Sequence, residues 1–216
     1  FSSRRRHTRY SLQSRGLGDV YKRQVHSFLT SPSTVHASAV DSAGLACSVT
    51  VSAGYGSGVM PPGTGIFMNN SLGELELNRR GIQAWQPGAR LPSNMAPTVA
   101  RHRDGSVIAI GSPCASRITT AIQQTLINFM QRGMPLHAAV DHARLQVEEF
   151  EGRIQVAFEE ALPVEQLDVP QRMFPGISMY FGGVSAALWD PRKGFFVAAD
   201  PRRAGGTAVH SSAATR

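Results

Sequence analysis

The sequence predicts an α+β fold, with pairs of antiparallel strands in two layers and a central helical pair outside them. Three observations carry this. Runs of period-2 alternation come in pairs separated by turn residues, at Val35 to Val40 with Leu45 to Ser52 and at Leu145 to Val147 with Ile154 to Phe158. Mid-chain, Ile118, Ile122, Leu126, Phe129 and Met130 repeat at helical spacing. The 216 residues are 42% hydrophobic without a run of 18 apolar residues, so a sizeable core is expected and a membrane span is not.

Each element has its local reason. Ser42-Ala43-Gly44 closes the first hairpin. Gly54 to Gly65 holds five glycines and two prolines and reads as a loop that bends sharply or approaches something closely. Ile66 to Met68 reads as a short strand. Asn69 to Pro97 is long, polar and irregular, and loops of that length usually carry function. Ser106 to Ile110 is a strand ending in Gly111-Ser112-Pro113. Ser116 is the expected cap of the helix that follows, Gly133 ends it, and Pro135 opens a second short helix. Glu151-Gly152 turns the second hairpin. Pro163 to Met173 is expected to be helical. Val184 to Trp189 and Phe195 to Ala199 are the last strands.

The formal charge of +7 suggests a nucleic-acid partner until its distribution is read. Residues 1–24 carry seven basic residues against one acid, Asp19; the rest of the chain carries fifteen basic and fourteen acidic residues. The excess sits where there is little apolar periodicity to pack. No nucleic-acid partner is therefore expected. No apolar core of a targeting peptide follows the arginines. FSSRRRHTRY and DVYKRQ resemble translated sequencing-adapter read-through, and the first residue is not Met, so residues 1–24 are set aside as unstructured and foreign. Gly205 to Arg216 reads as a frayed tail. Cys47 and Cys114 form no disulfide framework and have no metal-ligand spacing; no metal site or cofactor is expected, and Cys47 is expected to be a small buried hydrophobe.

The stretch richest in chemistry is Thr34 to Asp41, Thr-Val-His-Ala-Ser-Ala-Val-Asp. A threonine hydroxyl is a weak nucleophile and needs an adjacent base. If the chain is cut just before Thr34, its own α-amino group becomes that base, with an ordinary pKa of about 7.7–8.0. His36 lies on the opposite face from Val35 and reads as structural.

From about Thr34 to Ala204 the chain resembles the small subunit of the gamma-glutamyltransferase (glutathione hydrolase) family. The blocks that carry this, in order, are Thr34 to Asp41; PGTGIFMNNSLGELELN, Pro62 to Asn78; PGARLPSNMAPT, Pro87 to Thr98; GSPCASRI, Gly111 to Ile118; GMPLHAAVDHAR, Gly133 to Arg144; and Asp200-Pro201-Arg202-Arg203. Four departures touch the substrate pocket. The family's second threonine is Val35, its double serine is Ser93-Asn94, its double glycine is Cys114-Ala115, and the first of its paired acids falls on Gly73.

The resemblance implies the αββα sandwich of N-terminal nucleophile hydrolases, incomplete without a large subunit from the same precursor. It divides the chain into residues 25–33, the end of the large-subunit portion, and 34–204, the small-subunit-like domain. It implies cleavage between Ser33 and Thr34, with Thr34 as nucleophile and Ser52 in support. Backbone N–H groups at Cys114 and Ala115 would form the oxyanion site. Asn70, Glu74 and Glu76 would bind the substrate ammonium, and Ser93 and Asn94 its carboxylate; Arg90 could add charge there or serve the loop. The implied activity is hydrolysis or transfer of gamma-glutamyl groups from glutathione-like small molecules through a threonyl acyl-enzyme. The chain alone is expected to be inactive. The resemblance also implies a periplasmic or extracellular setting. Substitutions at Asn94, Cys114 and Ala115 leave open a related acylase, a poly-gamma-glutamate-processing enzyme, or an inactive homologue.

Overall fold

The computed structural model describes residues 34–54, 56–74, 78, 80–164 and 166–210, all within the unit Pro32–Arg216. The expectations for residues 1–24, for Ser33 and for Glu76 fall outside them.

Strands β1 (Thr34–Val40) and β2 (Ala46–Ser52) form an antiparallel hairpin, with Thr34 opposite Ser52 and His36 opposite Thr50. Asp41 tightens the turn by accepting from the Ala43 and Leu45 N–H groups. A four-stranded sheet follows in the order β3 (Thr98–Arg101), β4 (Val107–Gly111), β8 (Ser185–Asp190), β9 (Gly194–Ala199), antiparallel throughout. A second sheet holds β5 (Leu145–Phe150), β6 (Arg153–Glu159) and β7 (Gln171–Phe174), the last pair parallel. The architecture is α+β, as the periodicity predicts.

The hairpin packs on one face of the four-stranded sheet. Helices α1 (Ile118–Leu126) and α2 (Leu136–Asp141) cover the other. Ile108 and Ile110 of β4 and Ala186 and Leu188 of β8 meet Ile118, Ile122, Leu136 and Val140 there, forming the main core. Pleat alternation sends Ala109, Gly111 and Ala187 toward the hairpin, where small residues permit a close approach.

The hairpin is inverted relative to an ordinary half-buried strand pair. Beyond Val40 and Ala46 beside the turn, its sheet-facing residues are polar: Thr34, His36, Ser38, Ser48, Thr50 and Ser52. Ser38 and Ser48 donate to the Ser185 and Ile110 carbonyls across the layer. Its outward face is Val35, Ala37, Ala39, Cys47, Val49 and Val51, with Val35 62% and Val51 58% exposed. Cys47 is thus exposed instead of buried, because β2's outer residues are its apolar ones.

Other expectations are corrected. Ile66 to Met68 is no strand; Met68 exchanges hydrogen bonds with Ser57 and Val59 inside the loop. Ser116 does not cap α1: Arg117 occupies the cap position, and its guanidinium donates to the Ser116 hydroxyl. Pro163 to Met173 is not helical. The Gln171 amide donates to the Val164 and Leu167 carbonyls, and the segment ends as β7 beside β6, so sheet pairing overrides local propensity. A turn of π-helix, Ile127–Gln131, extends α1 before Gly133, whose φ of +68° ends it.

Candidate active site

Thr34 begins β1 and is 8% exposed. Its hydroxyl lies 2.8 Å from the Ser52 hydroxyl, as their opposition in the register requires. Ser52 also accepts from the Gly54 N–H at 3.1 Å. The turn after β2 therefore fixes Ser52, and Ser52 fixes Thr34.

Gly54 joins this rung to the acidic loop. Its φ is +58°, and a Cβ there would lie 2.7 Å from a Glu74 carboxylate oxygen and 3.0 Å from the Asn70 carbonyl carbon. Only glycine allows that approach. The Asn70 N–H donates to the Ala53 carbonyl, and the Asn70 side chain folds over Gly73. The structure thus brings Thr34, Ser52, Asn70 and Glu74 into one neighbourhood. Ser93 and Asn94 ride on the segment leading into β3; Ser93 is exposed and accepts from the Met95 N–H in its own turn, and Asn94 is half-buried. Arg90 is exposed.

Cys114 and Ala115 lie on the loop between β4 and α1. Ser112, fully buried, staples that loop by accepting from Gly183 N–H and donating to the Pro113 carbonyl. The Arg117 guanidinium sits 4.0 Å from the Tyr180 ring centroid and holds its far end. Cys114 has φ of +144°, a region that favours glycine. Such a residue costs on the order of 1–3 kcal/mol. Cys114→Gly should therefore raise the urea midpoint of the protein by an amount equivalent to about 1 kcal/mol or more; an unchanged or lower midpoint would count against strain at this residue.

Sequence reading treats His36 as structural but misses how it is held. Its Nδ1 lies 2.8 Å from the Thr50 hydroxyl and its Nε2 2.8 Å from the Ser38 hydroxyl. Burial holds the imidazole below its ordinary pKa. The signal was present as alternating polar residues on two facing strands.

The gamma-glutamyltranspeptidase family model matches residues 4–210. The chain belongs to the gamma-glutamyltranspeptidase family. The match begins inside the segment set aside above on composition. Among curated relatives, the glutathione hydrolase proenzyme of Bacillus subtilis is 34% identical over 42% of this chain and 16% of its own length. The capsule biosynthesis protein CapD proenzyme of Bacillus anthracis is 30% identical over 81% of this chain and 33% of its own length. The chain therefore spans from a sixth to a third of these relatives. Among solved structures, gamma-glutamyltranspeptidase from Pseudomonas nitroreducens superposes with a TM-score of 0.63 at 26% identity, covering 82% of this chain and 99% of that one.

Proposed function

We propose that the chain is the nucleophile-bearing part of a gamma-glutamyl hydrolase/transferase that acts through a threonyl acyl-enzyme. The observation that carries this is the Thr34–Ser52 hydroxyl pair at the first rung of β1, with the Glu74 carboxylate packed against Gly54 beside it.

The chemistry runs in two stages. In the precursor, Thr34 Oγ attacks the Ser33 carbonyl carbon. The peptide C–N bond breaks, its nitrogen takes a proton and becomes the Thr34 α-amine, and water hydrolyses the resulting ester. In the mature protein that amine takes the hydroxyl proton as Oγ attacks a gamma-glutamyl carbonyl. The amide C–N bond breaks and the leaving amine takes the proton. Water or an acceptor amine then cleaves the acyl-enzyme. Backbone N–H groups at Cys114 and Ala115 stabilise the oxyanion, a role that needs no particular side chain. Asn70, Glu74 and Glu76 take the substrate ammonium, and Ser93 and Asn94 its carboxylate.

The large subunit of the same precursor is the proposed partner. The exposed apolar face of the hairpin supports this, because a contiguous apolar face calls for cover. Such cover would complete an αββα sandwich from the hairpin, sheet and helix layers. The deciding experiment is expression of the complete precursor: Thr34 should appear as a free N-terminus, and a gamma-glutamyl anilide should be hydrolysed. Absence of both would sink the reading.

Glu74 gives a sharper test. A charge-assisted hydrogen bond is worth about 1.5–3 kcal/mol, so Glu74→Gln should lower kcat/KM on the order of 10- to 100-fold. Self-cleavage should be nearly normal, since it involves no substrate ammonium. If only Glu76→Gln lowers kcat/KM, the ammonium site belongs to Glu76.

A second reading, an acylase or poly-gamma-glutamate-processing enzyme, is favoured by how far two relatives match. CapD proenzyme and acylase ACY 1 proenzyme of Pseudomonas sp. align over 81% and 83% of this chain. Turnover of an acyl side-chain amide with none of the gamma-glutamyl anilide would favour the acylase.

A further inference from the structure

His36 sits two rungs inward from the Thr34–Ser52 pair, next to it on the same face, and its hydrogen bonds run in one direction. The Ser185 carbonyl can only accept, so Ser38 donates its hydroxyl proton there. Ser38 Oγ must then accept from His36, which puts the ring proton on Nε2. Nδ1 is left bare and accepts from the Thr50 hydroxyl. The neutral imidazole is satisfied at both nitrogens, in one tautomer.

The ring also fills the gap between the layers. A Cβ on Gly111 would lie 2.1 Å from His36 Cε1 and 2.5 Å from Nδ1. Gly111 is the last residue of β4, and the loop bearing Cys114 and Ala115 starts immediately after it. One side chain thus touches the strand of the candidate nucleophile, the strand of Ser52 and the strand that delivers the candidate oxyanion donors.

We infer that His36 is a positioning residue: by bonding Thr50 and Ser38 and resting against Gly111, it sets where the Thr34–Ser52 pair stands relative to the loop at Cys114 and Ala115. This rests on the proposed function and deepens it. A nucleophile and its oxyanion donors must be placed together, and a displacement of about 1 Å can cost on the order of 100-fold in rate. The substrate's ammonium and carboxylate are taken by other loops, so binding should feel the change far less.

The test uses the complete precursor and its processed form. His36→Phe keeps a ring over Gly111 and removes both hydrogen bonds. Thr50→Val removes only the bond to Nδ1, and serves if the first variant folds poorly. Hydrolysis of a gamma-glutamyl anilide is measured with kcat counted per chain that carries a free Thr34 N-terminus in the folded, monodisperse fraction, so an unfolded or uncut fraction drops out. Both variants should lose about 10- to 100-fold in kcat, with KM within about 3-fold of wild type. Gly111→Ala should be strongly damaging alone and add little to His36→Ala. Per-site kcat within about twofold of wild type in both His36→Phe and Thr50→Val overturns the inference, as does Gly111→Ala being equally costly with and without the ring. If wild type cuts before Thr34 but does not turn over the anilide, the gamma-glutamyl reading fails alone. The inference is then judged on the cleavage rate of the same variants, expected to fall by the same factor. If wild type does neither, the inference falls with the nucleophile.

Discussion

In the complete precursor, Thr34→Ala should abolish both self-cleavage and turnover, while Thr34→Ser should keep a measurable part of each. One hydroxyl serves both reactions in the proposed mechanism, and alanine removes it without disturbing the backbone of β1. Serine retains the hydroxyl and, after cleavage, the α-amine that activates it. The Ser52 hydroxyl, 2.8 Å from Thr34 Oγ1, cannot substitute, because it carries no α-amine beside it. Loss of a covalent nucleophile removes several orders of magnitude in rate, far more than any binding residue here. Mass spectrometry of the expressed protein decides the matter. Normal cleavage before residue 34 in Thr34→Ala would falsify the assignment.

Arg202→Met should be the most destabilising change away from the site. Its buried guanidinium donates to Glu159 through Nε at 2.8 Å and through a second nitrogen, to Asp200 at 3.0 Å, and to the Val140 and His142 carbonyls. Asp200 also pairs with buried Arg144 at 2.7 Å and accepts from Val184 N–H. Glu159 accepts from the Arg144 and Ser178 N–H groups. Two carboxylates and two guanidiniums thus balance inside the fold, tying α2 to β6 and to the ends of β8 and β9. Removing one cation leaves a carboxylate buried without its counter-charge, at a cost of about 3–5 kcal/mol. That is a large share of the 5–15 kcal/mol that typically holds a domain together. Urea denaturation of the protein measures it. A loss under about 1 kcal/mol would mean that water reaches the cluster.

The sequence made the local parts of this arrangement readable and left the distant ones obscure. The β1–β2 hairpin followed from alternation and the Ser42-Ala43-Gly44 turn, whereas Ser52 stood beside Thr34 only by family likeness until the register placed them opposite each other. The approach of Glu74 to Gly54 spans twenty residues of irregular chain, and no periodicity encodes it. β3 was missed because four residues at a sheet edge carry too little pattern, and Thr98 to Arg101 is held by pairing with β4. The Arg144–Glu159–Asp200–Arg202 cluster gathers the end of β6 with residues just before β5 and just after β9. In the sequence Asp200 to Arg203 appeared only as a block of family likeness, with nothing to say that its charges meet in the interior.

The inverted hairpin gives β1 and β2 an unusual genetic property. Their even-numbered positions, from Thr34 to Ser38 and from Ser48 to Ser52, face the four-stranded sheet; their odd-numbered ones, Val35 to Ala39 and Cys47 to Val51, face outward. Neighbouring codons in the same strand therefore answer to different selection. A polar replacement at an odd position spares the hydroxyls and the imidazole but spoils the apolar surface proposed to meet the large subunit. An apolar replacement at an even position leaves that surface intact and breaks the hydroxyl and imidazole bonds on which the proposed reaction depends. The two failures lie one residue apart, so along these strands the parity of a residue's number tells which kind of defect its loss would cause.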